Sequence, residues 1–196
     1  MHGLANRAIQ RFITDAYGAT MWSEVASTAA LGFETFEPLL AYDPTITETV
    51  INAASFELER ARSDLLEDLG HYLVTHPNSE ATRRLLRFGG ANFTTFLESL
   101  EDLPERARLA LPDRIFPRIT THEVGPGNYI LMVEAEIDGI GSILLGAIRG
   151  MADDYGALAT IEHRGRFRDV ERLTVLVHDE GFSEGRRFEL VQSGIA

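Results

Sequence analysis

The chain has 196 residues, 44% hydrophobic and 24% charged, a formal net charge of -12 and no cysteine. That balance predicts one compact domain with a sizeable core rather than disorder. The acidic surplus argues against nucleic acid and anionic membrane surfaces, both of which select Lys and Arg. Without Cys there are no disulfides, thiolate ligands or Cys nucleophiles. No run approaches the roughly 18 apolar residues of a membrane span, and polar and charged residues are spread through Met1 to Arg7, unlike a signal peptide. The expectation is a cytoplasmic protein whose partner is basic or whose ligand is apolar, with neither nucleic acid nor membrane among its partners.

Leu4, Ala8, Ile9, Phe12, Ile13 and Ala16 fall at the spacing of one helix face, and Gly18 stops the run. A second short helix carries Met21, Trp22, Val25 and Ala29. After Pro38 and Pro44, Thr45 with Glu48 three residues on reads as a capping box for a helix to about Arg62. Ser63 reads as the N-cap of the next, through Leu65, Leu66, Leu69 and Leu73. Asn78 or Ser79 opens a helix ending at Gly89-Gly90; Phe93, Phe96, Leu97 and Leu100 mark another; Pro104 opens a short one to about Ala110.

The period then changes. Arg118 to Glu123 and Tyr129 to Glu136 read as strands around a Gly125-Pro126-Gly127 turn, and Gly139 to Tyr155 as a helix with Ile140, Ile143, Leu144, Ala147, Ile148 and Met151 on one face. Ala157 to His163 and Arg172 to His178 read as a second hairpin, and Phe188 to Val191 as an edge strand. Helices followed by strand-strand-helix-strand-strand predict an α+β domain, an antiparallel four-stranded sheet covered by helices. The whole of 1–196 reads as one domain, with a helical subdomain 1–111 and an α/β subdomain 112–196.

Few constellations carry chemistry. The six histidines lack close ligand spacing and read as surface or core residues, with no metal site expected. Glu134, Glu136 and Asp138 share a strand face, which reads as solvated before it reads as a cation or basic-partner site. Arg83, Arg84 and Arg87 read as a solvated helix face. Asp153 and Asp154 oppose the dipole of the helix they end, a conflict that a partner or an ion pair to Arg149 would relieve. Gly139-Ile140-Gly141-Ser142 lacks the third glycine and the lysine of a phosphate loop. No nucleophile–base or metal set stands out, so no enzyme is expected.

Several stretches resemble one family in their order. They are Met1-His2-Gly3-Leu4-Ala5-Asn6-Arg7-Ala8-Ile9; Tyr17-Gly18 and Trp22; Leu85 to Phe93 with Phe96-Leu97; Leu100-Glu101-Asp102-Leu103 with Arg106, Leu109, Pro112 and Pro117; and Gly146 to Ala152. Together they resemble the heme-nitric oxide/oxygen-binding (H-NOX, HNOB) family over roughly residues 1 to 180. The resemblance implies a helical subdomain facing an α/β subdomain, with a porphyrin pocket between them. It also implies a sensor that regulates a partner such as a diguanylate cyclase, a phosphodiesterase or a histidine kinase. Leu4, Ala5, Ile9, Phe93, Phe96 and Leu97 are the expected lining of that apolar pocket.

The chain departs from the family where the cofactor is held. The family's iron-ligating histidine, two residues before the match to Arg106, is Pro104 here. Its Tyr-x-Ser-x-Arg motif for the heme propionates, counted back from Gly146, is Val133, Ala135 and Ile137, and Glu134 and Glu136 beside them repel carboxylates. Heme b, the family cofactor, is therefore not expected. A regulatory domain acting through protein contacts, or through another apolar small molecule, is. The alternative is a genuine heme sensor of NO or O2 with His71 or His76 as a non-standard axial ligand.

Overall fold

The structure is a computed structural model that describes residues 3–110, 116–135 and 137–186. The chain divides into two compact units, Met1–Leu69 and Gly70–Ala196.

The first unit holds α1 (Gly3–Tyr17), α2 (Ala19–Thr28), α3 (Pro44–Glu57) and the start of α4 (Arg62–Thr75). α1 buries Ile9, Phe12 and Ile13 along one stripe, as their spacing dictates. The stretch between α2 and α3 is anchored by side chains: Trp22 Nε1 and Gln10 Nε2 both donate to the Glu34 carbonyl, at 2.9 and 3.2 Å. Phe36, fully buried, packs edge-on against Phe33 and Tyr42. α3 starts differently from the sequence reading. Pro44 takes the first turn, where its missing N–H costs nothing, and the Asp43 carboxylate accepts from Thr45 N at 2.9 Å. The Thr45 hydroxyl, which donates to the same oxygen at 2.6 Å, and then this backbone N–H hold the Asp43 carboxyl below its ordinary pKa. Glu48, expected in a capping box, instead pairs with Arg62 at 2.8 Å. Ser63 lies inside α4 rather than capping it.

The second unit continues α4 and adds α5 (Glu80–Arg87), α6 (Phe93–Glu98) and α7 (Leu103–Ala110), with 3-10 turns at Pro77–Ser79 and Ser99–Asp102. Then come β1 (Arg118–Gly125), β2 (Asn128–Glu134), α8 (Ile140–Tyr155), β3 (Leu158–Phe167) and β4 (Val170–Asp179). The sheet runs β1-β2-β4-β3 with every neighbour antiparallel, the architecture expected. Its outer strands carry register breaks, at Glu123/Gly125 in β1 and at Leu158/Ala159 and His163/Arg166 in β3. β2 ends at Glu134 rather than at the expected Glu136; one further bond in step with the β2–β4 pairing, from the Ala135 N–H to the Asp169 carbonyl at 3.1 Å, follows it. Phe188 to Val191, Glu136 and most of the segment around the expected boundary at 111/112 lie outside the described residues.

Alternation along the strands sends Ile119, Tyr129, Leu131, Val133, Ile161, Leu173 and Val175 to one face, where they form a core with α8 and with Phe93, Phe96, Leu97 and Leu100. Each fully buried side chain of this kind contributes about 1.5–3 kcal/mol. α4 packs closely on α8: a Cβ at Gly70 would lie 1.9 Å from the Ile143 carbonyl oxygen. On the other sheet face Val124, Thr160, Glu162, Arg172 and Leu176 are exposed.

Candidate functional site

Pro104, at the expected iron-ligand position, is the second residue of α7, where proline fits a helix start. It is buried, between the fully buried Leu100 and the buried Ala107. Its ring has no donor atom for a metal. Arg106, two residues along, donates to the Ser99 carbonyl at 2.9 Å and so ties α7 to the preceding 3-10 turn.

The three propionate-anchor positions lie at the end of β2 and beyond. Val133 is fully buried in the core beneath the sheet. Ala135 and Ile137 are half-buried. One guanidinium does reach this connection, from the β3–β4 hairpin: Arg166 donates to the Ala135 carbonyl at 3.4 Å. It is already surrounded by carboxylates, Asp138 at 2.8 Å, Asp169 at 3.6 Å and Glu171 at 4.0 Å. Asp138 therefore belongs to an ion pair rather than to an open cation site. Beyond it, Gly139 offers no side chain to cap α8, and the buried Glu171 supplies one from β4: Gly141 N donates to Glu171 Oε1 at 3.0 Å. A Cβ at Gly141 would meet Glu171 Oε2 at 2.5 Å, so the cap requires glycine there. His163 Nε2 contacts the other Glu171 oxygen at 2.8 Å, and His163 Nδ1 accepts from Gly165 N at 3.1 Å. The proton on this ring therefore sits on Nε2, facing Glu171.

The candidate axial histidines have structural employment. His71 is exposed on α4 and lies against Gly150 of α8. His76 caps a 3-10 turn, accepting from Asn78 N at 3.3 Å, and stacks on Tyr72 at 4.6 Å. The expected pocket lining divides between the units. Leu4 and Ala5 are exposed and Ile9 is buried in the first; Phe93, Phe96 and Leu97 are buried in the core of the second. Ile9 lines an apolar cavity of about 10 Å³ inside the first unit, room for at most one water. Among the described residues no group of three acidic or histidine side chains is placed to hold a metal ion, and no helix is long and apolar enough to cross a membrane.

A family model described as haem-NO-binding matches residues 2–163. The chain belongs to this family. Solved structures of H-NOX proteins share its fold: an S. oneidensis H-NOX protein in the Fe(II)NO ligation state is 15% identical with a TM-score of 0.76, over 91% of this chain and 100% of that one. A mutant of T. Tengcongensis H-NOX is 17% identical with a TM-score of 0.75, over 93% and 100%. A Cs H-NOX mutant is also 17% identical at 0.75, over 94% and 100%. Domains of the haem-NO-binding family are sensors rather than enzymes. The side chains at the expected haem-holding positions do not fit the group: proline offers no iron ligand, two aliphatic side chains and a methyl stand at the expected propionate anchors, and the Arg166 guanidinium is met by three carboxylates.

A polar cluster in the second unit is not legible in the sequence of this member of the haem-NO-binding family. Arg83, expected on a solvated face, is 5% exposed and donates from Nε to Asp154 Oδ1 at 2.7 Å. Asp154 does not pair with Arg149, which donates to the Ile161 carbonyl at 3.0 Å. Burial disfavours the Arg83 charge, but the hydrogen bond and charge of Asp154, with Glu80, outweigh it and raise its pKa. Arg87 lies 3.4 Å from Asp154 Oδ2 and covers the Tyr155 ring at 3.6 Å. The Tyr155 hydroxyl donates to the Gly90 carbonyl at 2.8 Å.

Burial pushes the Tyr155 phenol up to about 12, against the pull of Arg87. Its folded-state pKa is raised above the ordinary value of about 10, so the stabilising preference for the phenol is complete below that value and is lost as pH rises through about 12. In an alkaline titration followed by phenolate absorbance, Tyr155 is expected to ionise late. Tyr155→Phe should remove a late component; an unchanged late limb would contradict the assignment.

Proposed function

We propose that this chain is a haem-free regulatory domain on the haem-NO-binding scaffold, acting through protein contacts or through an apolar small molecule. The observation that carries this reading is the chemistry at the family's ligand positions: a buried Pro104 on α7, a Val133 enclosed in the core, and an Arg166 whose charge is already met by three carboxylates. Without an axial ligand the iron would lose its coordinate bond to the protein, and without donors the propionates would lose the charge-assisted hydrogen bonds that make such binding tight. A signalling protein such as a diguanylate cyclase, a phosphodiesterase or a histidine kinase is the partner class this reading takes from the family. The net charge of -12 favours a basic docking surface on that partner.

The visible absorption spectrum, recorded as purified and after adding hemin, tests it. The expected result is no Soret band as purified and only the broad band of adsorbed hemin afterwards. A sharp stoichiometric band that shifts with nitric oxide would overturn the haem-free reading. His71→Ala and His76→Ala would then identify the axial ligand.

A further inference from the structure

On the side of the sheet away from α8, the strands present an open face. Val124 is 55% and Leu176 41% exposed there. With Ile130, Glu162, Arg164 and Arg172 they line a groove of about 370 Å³. The strand register puts three arginines, 118, 164 and 172, and three acidic residues, Glu134, Glu162 and Asp179, on this face, a formal charge of zero on a chain of net -12. Two copies of so acidic a protein repel over most of their surface, and least here. The face also has the register for self-pairing. Across the sheet His122 pairs with Ile130, Ile130 with Thr174, and Thr174 with Glu162. A two-fold axis along the strands, midway between two such faces, sets β3 of one copy over β1 of the other. The order β1-β2-β4-β3 then brings Glu162 opposite His122, an acceptor opposite a donor, and symmetry makes the contact twice.

We propose that the open sheet face, centred on Ile130 and Leu176, is the contact through which a second copy of this chain docks, with Glu162 of each copy facing His122 of the other. This is independent of whether haem binds. Four strands about 4.8 Å apart and the seven residues of β2 at about 3.3 Å each give about 440 Å² per copy. Twice that area is below the size of a permanent interface, so the pair is reversible and micromolar or weaker.

Sedimentation equilibrium of the full chain, from about 5 to about 500 µM, covers the micromolar range. A monomer–dimer equilibrium is expected. Ile130→Glu, at a half-buried surface position, should weaken it by at least about tenfold, the order of a buried, unpaired carboxylate, with an unchanged far-ultraviolet circular dichroism spectrum. Glu162→Arg, at an exposed position, should weaken dimerisation as well, and the double variant His122→Glu/Glu162→Arg should restore it. A chain that stays monomeric throughout, or a dimer that neither single variant weakens, would overturn the proposal. A dimer weakened by the single variants but not restored in the double would overturn the Glu162–His122 register.

Discussion

Asp154→Ala is expected to cost about 3–5 kcal/mol of stability, a large part of what a domain of this size has to lose. The reason is what it leaves behind. The side chains of Arg83 and Asp154 are 6% and 4% exposed, and that of Arg87 is 14% exposed. Removing the carboxylate strands a guanidinium in a place water does not reach. Glu80, 3.0 Å from Arg83 and half-exposed, retains part of the compensation. Asp154→Asn, which keeps a hydrogen-bond acceptor, should cost about 2 kcal/mol. Replacing both charges, as in Arg83→Met/Asp154→Leu, should recover most of the loss, because the pair's desolvation cost disappears with it. Urea unfolding of the four proteins measures this, with the free energy extrapolated to water. A loss below about 1 kcal/mol for Asp154→Ala would show that the ion pair is solvated.

The second large effect is at Gly70. Alanine there sets two terms against each other. An alanine in a helix interior is favoured over glycine by about 0.5–1 kcal/mol. Against this, the added Cβ would lie 1.9 Å from the Ile143 carbonyl oxygen, 2.7 Å from its carbon and 3.0 Å from the Ala147 nitrogen. All three are backbone atoms of α8, so no side-chain rotation relieves the contact and the helices must separate. Separation loosens the core that α8 forms with the sheet. Overpacking of this kind costs about 1–3 kcal/mol or more; with only backbone to yield, the net expectation is a loss of about 2–3 kcal/mol, seen as a lower urea midpoint. A neutral or stabilising Gly70→Ala would mean that α4 and α8 are further apart than described.

The elements that read well from sequence are those whose reason is local. α8 emerged almost residue for residue, since its apolar stripe runs unbroken from Ile140 to Met151 and glycines bound it. The first hairpin was announced by its Gly-Pro-Gly turn and by alternation in β2. What did not read well has distant causes. Arg83 and Arg87, spaced four apart on a helix, look like an ordinary wet face, and their shared partner is about seventy residues away in α8. The Thr45–Glu48 pattern was a sound local motif overruled by an equally local one, Asp43 with Pro44. The expected ligand positions at Pro104, Val133, Ala135 and Ile137 rest on a count along the chain. That Arg166 approaches them, already neutralised, depends on a hairpin about thirty residues further on.

The register breaks in β1 and β3 set a limit on how this molecule can associate. A strand recruits another by offering an uninterrupted row of amide and carbonyl groups in step with its own. On both flanks of the described sheet that row is interrupted, at Val124 in β1 and at Arg164-Gly165 in β3, where unpaired residues twist the backbone out of line. Lateral recruitment, the route by which sheets extend into fibrils, is therefore obstructed from either side, and the protein should stay free of amyloid under conditions that leave it folded.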